Sequence, residues 1–510
     1  MKRLSKSLKW LDDNILVILT IIFIFFIPLY PKLPLQMITY TYIAVRLEDI
    51  YVVLYVLIFF IQLVRRKVVL NQKFLWLFLA FWAAVFISFL YGAFLKKNLP
   101  YRQVAFLNAA RRVEYMCIFF IGLAVTKDKK QLLTYLKYIL IVLGLVGIYG
   151  VGQKFLGWPA VQTMNPEYAK GYLLFLTPEA RISSTFAGQY DLGAYVVFLI
   201  PIVSAVYFYY KKSLRYLLLS VLTIFILVLT GSRSSFGAYV ISTLLFLLMF
   251  KKYRFILILI VVTIGLNLVS NNLTSRLSRT FQVKQIFINQ NTGAAIIPQK
   301  ITAKQLPAGS FYLPLAQQVQ NKVQATLQNQ QVSANTEALV RQQIIAEVQQ
   351  QASQSGKKLT SQEEDILVAS LSAALRPITT VVSDISFATR LQVEWPRAIK
   401  AFLTNPVLGT GPSSITEATD NDYLRSLGEF GLLGTILFAL IFLSIIRFIW
   451  IAGRKLKDED KMLYYSFIFG LLGLFINAGY IDVFEASKVA FYFWLMAGFF
   501  VGSLLHYEKS

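Results

Sequence analysis

Three short stretches of this sequence place arginine, hydroxyl and carboxylate side chains at the edges of long apolar runs. The first is Arg181-Ile182-Ser183-Ser184-Thr185-Phe186, which leads into Asp191 and Gly193. The second, Thr230-Gly231-Ser232-Arg233-Ser234-Ser235, is a polar hairpin between two apolar runs. The third runs from Asn405-Pro406-Val407-Leu408-Gly409-Thr410-Gly411-Pro412 to Asp420-Asn421-Asp422-Tyr423-Leu424-Arg425 and on to Gly428-Glu429-Phe430-Gly431. Arginine at a membrane border is costly unless it meets water, a carboxylate or a phosphate, and its planar fork suits phosphate oxygens. Arg181 and Arg233 facing one mouth therefore suggest an anion. The alternative for either is a structural ion pair or a headgroup contact, as the three-residue spacing of Arg111 and Glu114 permits on one helix. Asp420 and Asp422 stand just before an apolar run, where partial burial raises a carboxylate's proton affinity and makes it a better proton acceptor. Asp420 could instead simply cap the helix that runs into Leu424. Gly409 and Gly411 allow tight turns, and Asn405-Pro406 ends the helix before them.

The rest of the composition narrows the chemistry. The chain has one histidine, His506, in its terminal tail, so neither a buried histidine base nor a histidine metal cluster is expected, and no metal or cofactor is called for. Its one cysteine, Cys117, sits between Met116 and Ile118 and reads as a packed thiol; a lone cysteine also rules out an intrachain disulfide. The net charge of +24 raises nucleic acid as a partner, but no RNA-binding or zinc pattern accompanies it.

The elements that must position these stretches are membrane helices. With 56% hydrophobic residues in 510, the chain is too apolar to cover itself as a soluble protein. Runs of about 20 apolar residues predict about a dozen spans: Ile15–Tyr30, Ile50–Val64, Phe74–Phe94, Ala109–Val125, Leu132–Gly152, Leu192–Tyr210, Tyr216–Thr230, Phe236–Phe250, Phe255–Val269, Gly428–Trp450, Met462–Ala478 and Ala486–Leu505. The basic start, Met1-Lys2-Arg3, has no small-residue cleavage site after its apolar run, so it reads as a first span with the N-terminus inside. Arg65-Arg66-Lys67, Lys127 with Lys129-Lys130, Lys211-Lys212, Lys251-Lys252 and Arg454-Lys455 then all fall on the cytoplasmic side, as the bias of basic residues requires, and both termini are cytoplasmic. Lys96-Lys97 with Arg102 are the exception.

The chain thus divides into a membrane domain over 1–269 with about nine helices, an extracytoplasmic loop domain over 270–427 and about three helices over 428–510. In the loop, Leu315, Val319, Val323 and Leu327 form one apolar helical stripe, and a second helix is expected from Thr360 or Ser361. The loop reads as a lid or spacer whose last part, Arg390 to Glu429, carries the chemistry.

With these motifs in order, the chain resembles the O-antigen ligase and O-antigen polymerase family of polytopic glycosyltransferases. The resemblance rests on Arg181 to Phe186, Ser232-Arg233, Arg390 with Trp395, the Asn405 to Gly411 turn, Asp420 to Leu424 and Gly428 to Gly434. It implies an all-α, GT-C-like membrane enzyme of the bacterial cytoplasmic membrane. Such enzymes move a glycan from a polyprenyl diphosphate at the outer face of the membrane to a lipid, protein or glycan acceptor, without metal or nucleotide sugar. It further implies that Arg181 and Arg233 hold the donor diphosphate, with Arg390 and Arg425 as further substrate-binding candidates. Asp420 takes the place where the family has a histidine base, Asp422 is the alternative base, and Asn421 and Tyr423 orient substrate. A transporter or flippase for an anionic lipid-linked glycan would use the same arginines without cleaving a bond, and a non-catalytic assembly protein would have lost its base.

Overall fold

The structure, a computed structural model, describes residues 2–37, 44–99, 101–163, 173–177, 180–269, 281–289, 295–296, 311–312, 375–383, 390, 394–415 and 419–507. The chain forms two compact units: one of Met1–Leu176, Arg181–Thr274 and Ala388–Ser510, the other of Thr177–Ala180 and Ser275–Phe387. The sequence from Ala388 onward therefore belongs with the membrane helices, although it was expected to be part of the loop domain.

The first unit is helical. Its helices are α1 (Lys2–Leu29), α2 (Leu47–Val64), α3 (Gln72–Leu90), α4 (Arg102–Val125), α5 (Lys129–Phe155), α6 (Gln189–Tyr209), α7 (Leu214–Thr230), α8 (Arg233–Met249), α9 (Tyr253–Val269), the short α10 (Trp395–Thr404), α11 (Asp422–Gly453), α12 (Asp458–Ala478) and α13 (Ser487–Tyr507). Strands β1 (Pro34–Met37) and β2 (Ala44–Arg46) pair antiparallel between α1 and α2. Among the described residues, eight helices are long and apolar enough to cross a membrane: α1, α2, α3, α5, α6, α11, α12 and α13. The remaining expected spans coincide with α7, α8 and α9, which are apolar but shorter, and with α4, whose 24 residues include Arg102, Arg111, Arg112 and Glu114.

Burial separates the inner helices from the outer ones. The apolar windows of α6 and α13 are 89% and 94% buried within the protein, whereas those of α1, α2 and α11 are 28% buried. An apolar helix that leaves most of its surface uncovered suits lipid, while one apolar all round and fully covered is a core element. Aromatic rings fill the centre. Phe78 stacks on Phe119 at 5.0 Å between centroids and meets the edge of the buried Trp494 at 5.6 Å, geometries that add to area burial.

The turn from Asn405 to Gly411 is locked onto α11 by backbone alone. At Gly431 the helix is broken, with φ 62° and ψ −166°, values open essentially to glycine. The break frees the amides of Leu432 and Leu433, which donate to the carbonyls of Pro406 and Val407, while Gly411 N–H donates to Glu429 O at 3.0 Å. The two chains approach so closely that a Cβ on Gly431 would lie 2.3 Å from Val407 O, and one on Gly409 would lie 2.4 Å from Glu429 O. Gly431→Ala is therefore expected to cost about 3 kcal/mol or more in backbone strain and displaced pairing. Gly237→Ala, with nothing within 4 Å of the new methyl, should be near neutral. Apparent Tm values of the two variants in detergent check this; equal values would mean that the clasp contributes little.

In the second unit, β3 (Phe281–Asn289), β4 (Ala295–Ile296) and β5 (Leu375–Ser383) form an antiparallel sheet of order β4-β3-β5. This departs from the expected all-helical loop. Runs such as Val381-Val382 and Ile286-Phe287-Ile288 favour the pleated state, and Pro377 is tolerated because β5 is an edge strand. The helices expected around Leu315–Leu327 and after Thr360 lie outside the described residues.

Candidate active site

The start of α11 and the loop between α12 and α13 hold each other by reciprocal carboxylate-to-backbone bonds. Asp482, in that loop, accepts the N–H groups of Thr419, Asp420 and Asn421 at 3.1, 3.2 and 3.0 Å. Asp422, on the opposite side, accepts those of Val483 and Phe484 at 2.6 and 3.1 Å. Asn421 is the N-cap: its Oδ1 accepts from Tyr423 N–H and Leu424 N–H, and its amide donates to Gly479 O. The cap is thus Asn421, not Asp420. Released from that duty, Asp420 takes a left-handed backbone (φ 50°), a conformation that Asp, Asn and His adopt more readily than other non-glycine residues.

Of the two carboxylates proposed as a base, only Asp420 is open. Its side chain is 31% accessible, whereas Asp422 as a residue is 8% accessible and committed to the loop. Asp420 Oδ2 accepts from the Arg390 guanidinium at 2.5 Å. Burial of the surrounding site pushes the Asp420 carboxyl up to about 7; the adjacent Arg390 opposes this, while Asp482 and Glu394 add to it. The carboxyl of Glu394 is also pushed up, by burial first.

Arg390 connects Asp420 to the first stretch. Its guanidinium lies 4.2 Å from the ring centre of Tyr480 and 5.8 Å from that of Tyr190, and the Arg181 guanidinium lies 5.1 Å from the same Tyr190 ring. Two buried arginines, 209 residues apart in number by subtraction of 181 from 390, thus lie near one tyrosine ring. Each is held near it by cation–π attraction. The second stretch joins through its backbone and hydroxyls. Ile182 N–H donates to Leu229 O, Ser232 caps α8 through Ser235 N–H, and Ser235 Oγ bonds Asn477 Oδ1 on α12 at 3.0 Å. Arg233, the first residue of α8, is half-buried. The first stretch thus packs against the end of α7 beside the second, and Arg390 joins Asp420 of the third to the Tyr190 ring that follows the first.

Behind this surface lies a buried charge network. Arg425 pairs with Asp482 at 2.9 Å and with Glu429 at 3.4 Å, and Arg112 of α4 pairs with Glu485 and lies over the Phe430 ring. Arg425 is thus engaged with carboxylates, and Tyr423, 45% exposed, donates its hydroxyl to Phe475 O. A buried pair broken on one side typically costs about 3–5 kcal/mol. Asp482→Asn should therefore lower stability by an amount of that order, because it strips Arg425 of a partner and loosens the amides of 419–421. A matching fall in Tm and in activity checks it; an unchanged Tm would show that the clasp is dispensable.

Sequence reasoning missed Tyr190, Tyr480, Asp482, Arg112 and Glu485. The available signal was an aspartate and a glutamate in the short connection between two apolar runs, Gly479 to Ala486, where neither side chain has an obvious use in lipid. Among the described residues no group of three or more His, Cys, Asp or Glu side chains is placed to hold a metal ion.

Residues 218–439 match the family model described as O-Antigen ligase. The matched stretch contains Arg233, Arg390, the Asn405 to Gly411 turn, Asp420 and the Gly431 break; Arg181 and Asp482 lie outside it. No curated protein matches the chain.

Proposed function

We propose that this O-antigen ligase-like chain transfers a glycan from a polyprenyl diphosphate to an acceptor hydroxyl at the outer face of a bacterial cytoplasmic membrane. The likeness of residues 218–439 to the O-Antigen ligase family model supports a role in glycan transfer for cell-surface polysaccharide synthesis. The finer reading is carried by one observation: Arg181 and Arg390 flank a single tyrosine ring, and Arg390 also grips the accessible Asp420.

Arg181 and Arg390, and Arg233 with them, hold the diphosphate through forked N–H donors. Asp420 takes the proton from the acceptor hydroxyl as that oxygen bonds to the anomeric carbon of the donor sugar. The bond from that carbon to the phosphate oxygen breaks, and its electron pair leaves with the diphosphate, which stays on the carrier. The arginines stabilise the charge that develops there, donors fixed in advance being worth more than water that must reorient. Arg425, Asn421 and Asp422 hold the frame, and Tyr423 ties α11 to α12. The large loop and both termini take the outer and inner sides respectively, following the bias of basic residues.

Release of polyprenyl diphosphate by the purified chain, given a polyprenyl-diphosphate glycan and candidate lipid, protein or glycan acceptors, tests the reading. No release with any acceptor would sink it. Movement of intact donor across vesicles without cleavage would favour a flippase.

A further inference from the structure

A groove between α8 and α9 has a form the transfer step does not use. Tyr239, Val240, Thr243, Leu244 and Leu247 of α8 face Ile256, Leu259, Ile260, Thr263 and Ile264 of α9 around a cavity of about 230 Å³. Its floor is covered and its rim is open. Tyr239, Leu247 and Leu259 are 4%, 1% and 4% exposed, while Ile260 and Ile264 are 48% and 57% exposed. Of the three hydroxyls that line it, Tyr239 Oη bonds Thr263 Oγ1 at 3.1 Å and Thr263 Oγ1 donates to Leu259 O, while Thr243 Oγ1 is buried without a hydrogen-bond partner among the described residues; the seven other lining side chains are aliphatic. The groove therefore accepts hydrocarbon.

Its placement says which hydrocarbon. Arg233 is the first residue of α8. At about 1.5 Å per residue, the groove begins about 9 Å from that arginine at Tyr239 and ends about 21 Å from it at Leu247. A cation at the head of an apolar slot complements a molecule with an anionic head and a long apolar tail. Ordinary bilayer chains would need neither a covered floor nor a basic residue at one end. The two ends match one molecule of the class already argued for the site.

We infer that the groove between α8 and α9 binds the prenyl chain of the diphosphate substrate, with Arg233 at its head end. The inference rests on the donor being a polyprenyl diphosphate, but it makes a claim that does not depend on turnover. Filling the rim excludes the chain without disturbing the floor.

The test is photo-crosslinking of the full chain in nanodiscs with a polyprenyl diphosphate bearing a diazirine on its tail. Crosslinks are expected on residues 239–264, competed by unlabelled polyprenyl diphosphate and not by phosphatidylglycerol. Val240→Trp or Ile260→Trp should reduce their yield about tenfold, the equivalent of losing burial of roughly two methylene groups. Crosslinks elsewhere, equal competition by phosphatidylglycerol, or yields unchanged by both rim variants would each overturn the inference. Groove crosslinking in a chain that shows no transfer would uphold the groove while removing the enzymatic reading.

Discussion

Asp420→Asn is expected to slow glycan transfer by about a thousandfold while leaving the fold intact. General-base catalysis contributes about 10²–10⁴-fold, and Asp420 is an accessible carboxylate gripped by the buried Arg390. The substitution is a clean one for a backbone reason. Residue 420 is left-handed, with φ 50°, and Asn adopts that region as readily as Asp does. Alanine would confound lost chemistry with lost geometry. The pH profile provides an independent reading. A base works as the carboxylate, so a carboxyl pushed up to about 7 predicts a rate that climbs as pH rises through about 7 and then levels. The residual rate of Asp420→Asn should lack that rise. Asp420→His should retain much of the activity, since imidazole suits both the backbone and the pH range, and the resembled family has histidine at this place. Initial rates of carrier release from pH 5.5 to 9 decide the matter. If Asp420→Asn turns over normally, the proton must be taken by another group.

The membrane helices were legible because lipid allows a segment little choice: a run of apolar residues must satisfy its own backbone, and the basic clusters mark the alternate connections. Arg181 and Arg233 stood out as candidates for the complementary reason, that an arginine is out of place at a membrane border without a partner, whereas Arg390 came only from the family resemblance. What could not be read was which groups would find each other. Asp482 accepts three backbone N–H groups from residues more than sixty positions away in numbering, and nothing local announces that partnership. The same holds for Tyr190, which is one aromatic residue among many until Arg181 and Arg390 are seen to share it. The alternative that Asp420 caps α11 is one residue early: Asp and Asn are equally good caps, and the left turn at Asp420 gives the duty to Asn421. The break at Gly431 was hidden because Gly428 to Trp450 is apolar enough to read as one uninterrupted span. It takes the approach of Val407 to show that the helix cannot continue through that glycine.

Arg181→Ala and Arg390→Ala should both reduce transfer by about a hundredfold or more, the scale of losing one donor to a developing oxyanion, but they should differ in pH dependence. The Arg390 guanidinium contacts Asp420 directly and holds its carboxyl below the value that burial alone would give. Removing it should therefore move the rising limb of the pH profile to higher pH. Arg181, whose guanidinium lies 5.1 Å from the centre of the Tyr190 ring, should lower the rate without moving the limb. The double variant then discriminates between two independent anchors and a single clamp. Groups that share a partner lie within coupling range, whereas independent ones add within about 0.3–0.5 kcal/mol. Because both guanidinium groups lie against one ring and are proposed to grip one diphosphate, the double variant should be much less than ten-thousandfold impaired. Strict additivity, or an Arg390→Ala profile that stays in place, would separate Arg390 from the anion and leave it as a support for Asp420 alone.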